Sequence, residues 1–97
     1  DENIFVFKSY IMENLEGKEI VFKELKEAVR KREYKKIIYE FDKEEKIIAK
    51  CLKLIFVDNN WYVAIEDENG NFRFLRLSFI KNVKEAIGLE GRKYQLN

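Results

Sequence analysis

Histidine and threonine are absent from this sequence, serine occurs twice (Ser9 and Ser78) and cysteine once (Cys51). Without histidine the chain lacks the commonest general base and the commonest metal ligand. One thiol excludes an internal disulfide and a cysteine-built zinc site. The paired acids Glu44-Glu45 and Asp67-Glu68 read as turn residues, because neither pair has a neighbouring nucleophile or an apolar run to raise a pKa. Gly88 and Gly91 stand outside any phosphate-loop context. Cys51 alternates into an apolar strand and reads as core. These absences argue against an enzyme, and no cofactor or metal is implied. What remains with usable chemistry is a set of arginines, lysines and aromatics, which bind anions and stack on rings.

The charges are balanced overall but not along the chain. Lys+Arg number 19 and Asp+Glu 18, a formal net charge of +1, so a polyanion can be held only by a local basic patch. From Asp58 to Asn71 there are four acids (Asp58, Glu66, Asp67, Glu68) and no bases. From Phe72 to Asn97 there are six bases (Arg73, Arg76, Lys81, Lys84, Arg92, Lys93) against two acids, with Phe72, Phe79 and Tyr94 interleaved. That composition suits single-stranded nucleic acid, through phosphate contacts and base stacking; the plainer reading is a solvated face. The cluster Arg30-Lys31-Arg32 with Lys35-Lys36 reads as a cationic helix C-terminus, favoured by the helix dipole.

The elements that position these groups follow from periodicity. With 97 residues, 46% hydrophobic and 14% aromatic, the chain is one folded domain. Ile4, Phe7, Ile11 and Leu15 recur at helical spacing, with Gly17 at a left-handed cap position. Val21, Leu25, Ala28 and Val29 form the apolar face of a second helix, about Val21 to Lys31. Strands follow at Lys36–Phe41, Ile47–Val57 with a bend near Lys50 and Lys53, Trp61–Glu66, Phe72–Leu77 and Ile80–Ala86. Five short strands of this kind are expected to close into a small barrel with the helices on one side, an α+β arrangement. No apolar run is longer than five residues, far short of the roughly 20 that cross a bilayer. No signal peptide is seen, and the expected setting is cytoplasmic. A chain starting at Asp1 reads as an excised piece of a longer protein.

Asn69-Gly70 is the strongest hairpin signal. If these are the centre of a type I′ turn, Glu66 faces Arg73, Ile65 faces Phe74 and Val63 faces Arg76. Trp61, Val63, Ile65, Phe72 and Phe74 then share a core face, with Arg76 at its far end; a three- or four-residue loop would change the pairing. Arg73 reads as the ion-pair partner of Glu66. Arg76, with no carboxylate opposite, either snorkels at the rim or binds an anion.

Asn60-Trp61-Tyr62-Val63-Ala64, followed after a turn by Arg73-Phe74-Leu75-Arg76-Leu77-Ser78-Phe79-Ile80, resembles the WYL-domain family. That family is named for a Trp-Tyr-Leu tripeptide and continues with an Arg-x-Phe-Arg-Leu-Asp-Arg-Ile-like segment. Upstream, Leu25 to Tyr39 resembles the family's lead-in, and the likeness covers about Leu25 to Lys84. Val63 replaces the leucine, Ser78 the aspartate and Phe79 the second arginine of the pattern, and the proline usual near Cys51 and Leu52 is missing.

The resemblance implies a helical lead-in at about 3–34, an Sm-like, SH3-type five-stranded antiparallel β-barrel at about 36–86, and a tail at 87–97. It also implies a ligand-sensing domain of a bacterial transcriptional regulator or defence-associated protein, homodimeric in its full-length form. Single-stranded DNA or RNA, or a nucleotide, is the implied ligand. Carried over residue by residue, the ligand-contacting positions are Tyr39, Arg73 and Arg76, with Tyr62 added because it alternates away from Trp61; Trp61 itself reads as core. The alternative is a protein–protein or dimerisation module without a ligand, for which an exposed Phe79 would speak.

Overall fold

A computed structural model of the chain describes residue 15, residues 17–86 and residues 93–94. Except for Leu15, which is buried, the first helix expected from Ile4 to Leu15 lies outside the described residues. Gly17 has φ +84°, the left-handed conformation expected of it.

Helix α1 (Glu19–Lys31) buries Phe22, Leu25 and Ala28, with Val21 and Val29 packed beside them. This is the apolar face read from the spacing, extended by two residues at the start. Glu19 lies in its first turn and Arg30 and Lys31 in its last, each on the favourable side of the helix dipole. Arg32 ends the helix in the left-handed region, its N–H donating to Ala28 and Val29 carbonyls. Lys35 and Lys36 do not cap the helix as expected, because the chain has already entered a strand.

The strands are β1 (Tyr34–Glu40), β2 (Glu44–Val57), β3 (Asn60–Asp67), β4 (Phe72–Arg76) and β5 (Ile80–Glu85). All neighbours are antiparallel, in the order β4-β3-β2-β1-β5. A closed barrel would require a ladder between β4 and β5. Instead these two strands are the edges of an open sheet, which corrects the expected closure. The reason is local: after Arg76 the chain makes a 3-10 turn, Leu77–Phe79, and delivers Ile80 opposite Tyr39 on β1. Leu77 and Ile80 are buried there, so apolar side chains occupy the gap.

One core cluster collects Leu25 from the helix and Ile37, Cys51, Ile65, Leu75 and Ile80 from the five strands, so the sheet wraps a common interior. Each such side chain contributes about 1.5–3 kcal/mol by leaving water. Two bulges bend the sheet. Leu52 is an extra residue on β2 between the pairs Cys51–Ile65 and Lys53–Ala64, where a bend was expected. Lys81 is the extra residue on β5, between Ile38–Asn82 and Tyr39–Ile80.

The hairpins reverse one expectation. Asp58 and Asn59, with φ of 50° and 65°, form the two-residue loop between β2 and β3. Asn69-Gly70 instead belongs to a three-residue loop. Asp67 exchanges backbone contacts with Asn71 and Gly70, its carboxylate accepts from the Asn69 and Asn71 N–H groups at 2.9 Å, and Gly70 alone takes a positive φ, 82°. The loop shifts β4 by one residue: Val63 faces Leu75, Ala64 faces Phe74, Ile65 faces Arg73 and Tyr62 faces Arg76. A one-residue slip exchanges the faces of a strand. Leu75 therefore enters the core, while Phe72 and Phe74, expected inside, are 74% and 67% exposed.

Cys51 is fully buried, and burial pushes its thiol from the usual 9.0 up to about 12. Tyr94, whose hydroxyl donates to the Cys51 carbonyl at 2.6 Å, is also raised by burial. Below the thiol's ordinary value both folded and unfolded chains keep the proton. Between 9.0 and about 12 only the unfolded chain loses it, so stability falls as pH rises through that window. For Cys51 the slope is at most ~1.4 kcal/mol per pH unit. Urea midpoints measured across the alkaline range should fall less steeply for Cys51→Ala than for the parent chain, with the curves parallel near neutrality.

Candidate functional site

The four expected site residues are Tyr39 on β1, Tyr62 on β3, and Arg73 and Arg76 on β4. Arg73 stands opposite Ile65 at the edge of the inner face. Its partner is not Glu66 but Glu45, approached by both terminal nitrogens at 3.1 and 3.2 Å. The shifted register explains the change: Glu66 faces outward and meets Lys50 at 3.7 Å. Glu45, expected in a turn, lies in β2 opposite Tyr39. The Arg73 guanidinium hydrogen-bonded to it holds the Glu45 carboxyl below the usual carboxylate range, and Glu45 in turn raises Arg73. Tyr39, Phe41, Lys43 and Phe74 border the same recess, about 290 Å³ in volume.

Tyr39 is buried, and its hydroxyl accepts the Arg76 backbone N–H at 3.2 Å. Its ring meets Phe79 edge to face at 6.3 Å, and Phe79 meets Phe41 at 5.0 Å. Phe79 is therefore half-buried and packed, rather than the exposed aromatic expected at this position. The Arg76 guanidinium lies 5.4 Å above the Phe79 ring. Its Nη2 donates to Asn60 Oδ1 at 2.6 Å, and Asn60 is held by its own bond to the Asp58 carbonyl at 2.8 Å. Among the described residues Arg76 makes no ion pair. Its Nε is buried without an acceptor, as is Nε1 of Trp61. Trp61 otherwise packs as expected, against Phe22 at 4.8 Å and Phe56 at 5.1 Å.

Tyr62 faces Arg76 across the ladder but belongs to the outward surface. With Ile55, Val57 and Phe74 it lines an apolar groove of about 400 Å³. Tyr39 and Arg73 thus share the recess at the inner rim, whereas the Arg76 side chain leaves β4 on the outward face, directly opposite Tyr62; Tyr39 reaches Arg76 only through its backbone N–H. The sequence reading missed Lys36, which stands directly opposite Lys84 across β1 and β5, and Lys46, one pair further along β2 opposite Ile38. No described acid pairs with any of the three. Like charges placed opposite each other destabilise a sheet, and this face carries a local excess of positive charge. Only the β1–β5 register would have revealed it. Lys35, by contrast, is paired with Glu85 at 2.7 Å and Glu33 at 3.8 Å.

Among the described residues no cluster of His, Cys, Asp and Glu could hold a metal ion, and no helix is long and apolar enough to cross a membrane.

The Arg73 and Glu45 side chains are 32% and 38% exposed, so water screens the pair and its worth is under about 1 kcal/mol. Glu45 stabilises the fold above its ordinary pKa, and that increment is lost as pH falls through its lowered value. A double-mutant cycle on Arg73→Ala and Glu45→Ala, read by urea denaturation, should give a coupling below about 1 kcal/mol at neutral pH that vanishes in acid.

Comparison with known proteins agrees with this geometry. No curated protein sequence matches the chain. Proteasome accessory factor B/C (PafBC) of Arthrobacter aurescens is similar in structure, with a TM-score of 0.65 and 18% sequence identity over 69% of this chain. The match spans 11% of that protein's length, so the likeness is one of fold. The family model for the WYL domain matches residues 20–85, which takes in α1 from its second residue and all five strands. The Trp61-Tyr62 and Arg73–Ile80 segments lie within that match, and this chain belongs to the WYL-domain family.

Proposed function

We propose that this domain is a regulatory, non-catalytic module of a cytoplasmic bacterial transcriptional regulator, and that it binds a short single-stranded nucleic acid or a nucleotide. The curled sheet serves as an Sm-like, SH3-type scaffold left open along one side. The observation that carries the reading is Arg76: a cation at the end of β4 whose guanidinium meets a neutral amide and an aromatic ring and, among the described residues, no carboxylate. Such a group retains its capacity for a phosphate, and Phe79 beneath it orients the guanidinium plane. Arg73 is a secondary ligand, since a phosphate must compete with Glu45 for it. Tyr39 positions Arg76 from below through its hydroxyl. Tyr62, with the exposed Phe74 beside it, offers a surface on which a base can stack. Lys36, Lys46 and Lys84 extend the positive field over the outer face of the sheet.

A second reading has its own support. Phe72 and Phe74 project from the edge strand β4, beside a groove lined by Ile55, Val57 and Tyr62. An apolar edge of this kind fits a homodimer contact or a protein partner with no ligand at all.

Fluorescence anisotropy with labelled single-stranded DNA and RNA at two salt concentrations tests the first reading. Binding in the micromolar range should weaken with salt. Arg76→Ala should reduce affinity by roughly tenfold and lower the salt slope by about one, with little change in the thermal melt. Absence of binding at the lower salt would sink the nucleic-acid reading. Sedimentation velocity tests the second: concentration-dependent association that disappears in Phe72→Ser/Phe74→Ser would establish the edge as an interface, and a monomer at every concentration would dismiss it.

A further inference from the structure

The two edges of the open sheet are finished differently. Lysines and bulges are common means of keeping an edge strand from pairing with another chain. Both are present on β5: Lys81 is the bulge residue and Lys84 follows on the same strand. In addition the Val83 N–H is taken by Asn82 Oδ1 at 2.8 Å. Edge strand β4 has none of this. It pairs with β3 without interruption from Phe72 to Arg76, and it contains neither lysine nor proline. Its free backbone groups follow from the ladder. Asp67 donates to the Asn71 carbonyl at 2.9 Å, so hydrogen-bonded pairs recur at every second residue, Ile65–Arg73 and Val63–Leu75. The N–H groups of Phe72, Phe74 and Arg76 therefore point away from β3, and that of Arg76 is accepted by the Tyr39 hydroxyl at 3.2 Å. Phe72 and Phe74 are left with outward N–H groups, and the same two residues are 74% and 67% exposed.

We propose that β4 is a self-pairing edge: two copies of this chain join through antiparallel β4 strands, about a two-fold axis at Phe74, into one continuous sheet. The inference rests on the reading of the β4 edge as a homodimer contact and deepens it by naming the occupant, its direction and its register. Centred on Phe74, the five residues of each β4 overlap completely: Phe74 meets Phe74, Phe72 meets Arg76, and Arg73 meets Leu75. No like charges then stand opposite each other, and Phe72 of each copy lies beside a guanidinium. A register centred on Arg73 sets the two Arg73 side chains together, and one centred on Phe72 sets Phe74 against Gly70, whose N–H is already bonded to the Asp67 carbonyl. Head-to-tail pairing of β4 with β5 meets the guarded edge. Two phenyl rings from each copy bury at most about 150–250 Å² apiece. That places the contact at the small end of specific interfaces, so the association is weak and reversible.

Backbone pairing and apolar contact are separable by experiment. Amide hydrogen exchange of the chain, read by NMR from micromolar to millimolar concentration, should show the Phe74 amide becoming protected as dimer forms. The Arg73 and Leu75 amides, already in the β3 ladder, should be protected throughout. Proline at an edge position whose N–H faces solvent removes no ladder bond. Phe74→Pro and Phe74→Ala both delete the ring, but only the first deletes the outward N–H. Sedimentation equilibrium should therefore find dimerisation at least tenfold weaker in Phe74→Pro than in Phe74→Ala, with similar thermal melts. The exchange measurement uses the unaltered chain and decides the matter even where Phe74→Pro does not fold.

Dimerisation without protection of Phe74, weakened equally by both substitutions, overturns the strand pairing and leaves the apolar contact of the earlier reading in place. Assemblies larger than a dimer overturn the two-fold arrangement. A monomer whose Phe74 amide is protected at every concentration means that another part of the chain occupies the edge, which also overturns the proposal. A monomer with Phe74 unprotected throughout removes the pairing and the homodimer reading together.

Discussion

An open five-stranded sheet can wrap a core only if something other than a ladder holds its far strands near each other, and here Tyr39 ties β1, the neighbour of edge strand β5, to the opposite edge strand β4. From β1 its ring passes beneath the sheet to place a hydroxyl under the last residue of β4, where it accepts the Arg76 N–H at 3.2 Å. The bond alone is worth about 1 kcal/mol. Its geometric effect is larger, because it joins strands that are three positions apart in the sheet order. The 3-10 turn fills the remaining gap with Leu77, and β5 then returns to β1. Lys18 adds a second tie, donating from its Nζ to the Ile80 carbonyl at 2.8 Å and anchoring the start of α1 to the start of β5.

That arrangement explains why two arginines of one short motif lead different lives. Arg73 and Arg76 are three residues apart on a strand, and side chains of a strand alternate in direction. Arg73 turns toward the inner rim and is answered by Glu45. Arg76 turns the other way and finds an amide and a ring. The two arginines expected to contact a ligand therefore divide into one paired with a carboxylate and one that makes no ion pair among the described residues. The same alternation sends Tyr39 and Tyr62 to opposite sides of the sheet.

Much of this was legible in the sequence, and what was not legible had one physical source. Helix α1 announced itself through Val21, Leu25 and Ala28, and the strands through their β-branched and aromatic runs. Those are local signals, decided by neighbours a few residues away. The error lay in how strands meet. Asn69-Gly70 is the commonest two-residue hairpin signature, yet the Asp67 carboxylate captures the Asn69 and Asn71 N–H groups and stabilises a loop one residue longer. That single residue exchanged Phe74 for Leu75 in the core and Glu66 for Glu45 beside Arg73. The Lys36–Lys84 pair was illegible for the same reason, since it depends on a partner strand far along the chain. The family likeness rested on short motifs and did not depend on register.

The two bulges carry a consequence for how chains of this shape vary. In a bent ladder the two strands do not cover equal arc lengths, and the difference has to be made up in whole residues. Leu52 on β2 and Lys81 on β5 are that difference. Neither sits in the buried core, so the side chain at each place is free to change, whereas the count of residues is not. Removing either would leave every neighbour on its proper face and still flatten the sheet. Curvature here is stored as chain length, a quantity that substitution leaves untouched and that a single-codon deletion erases.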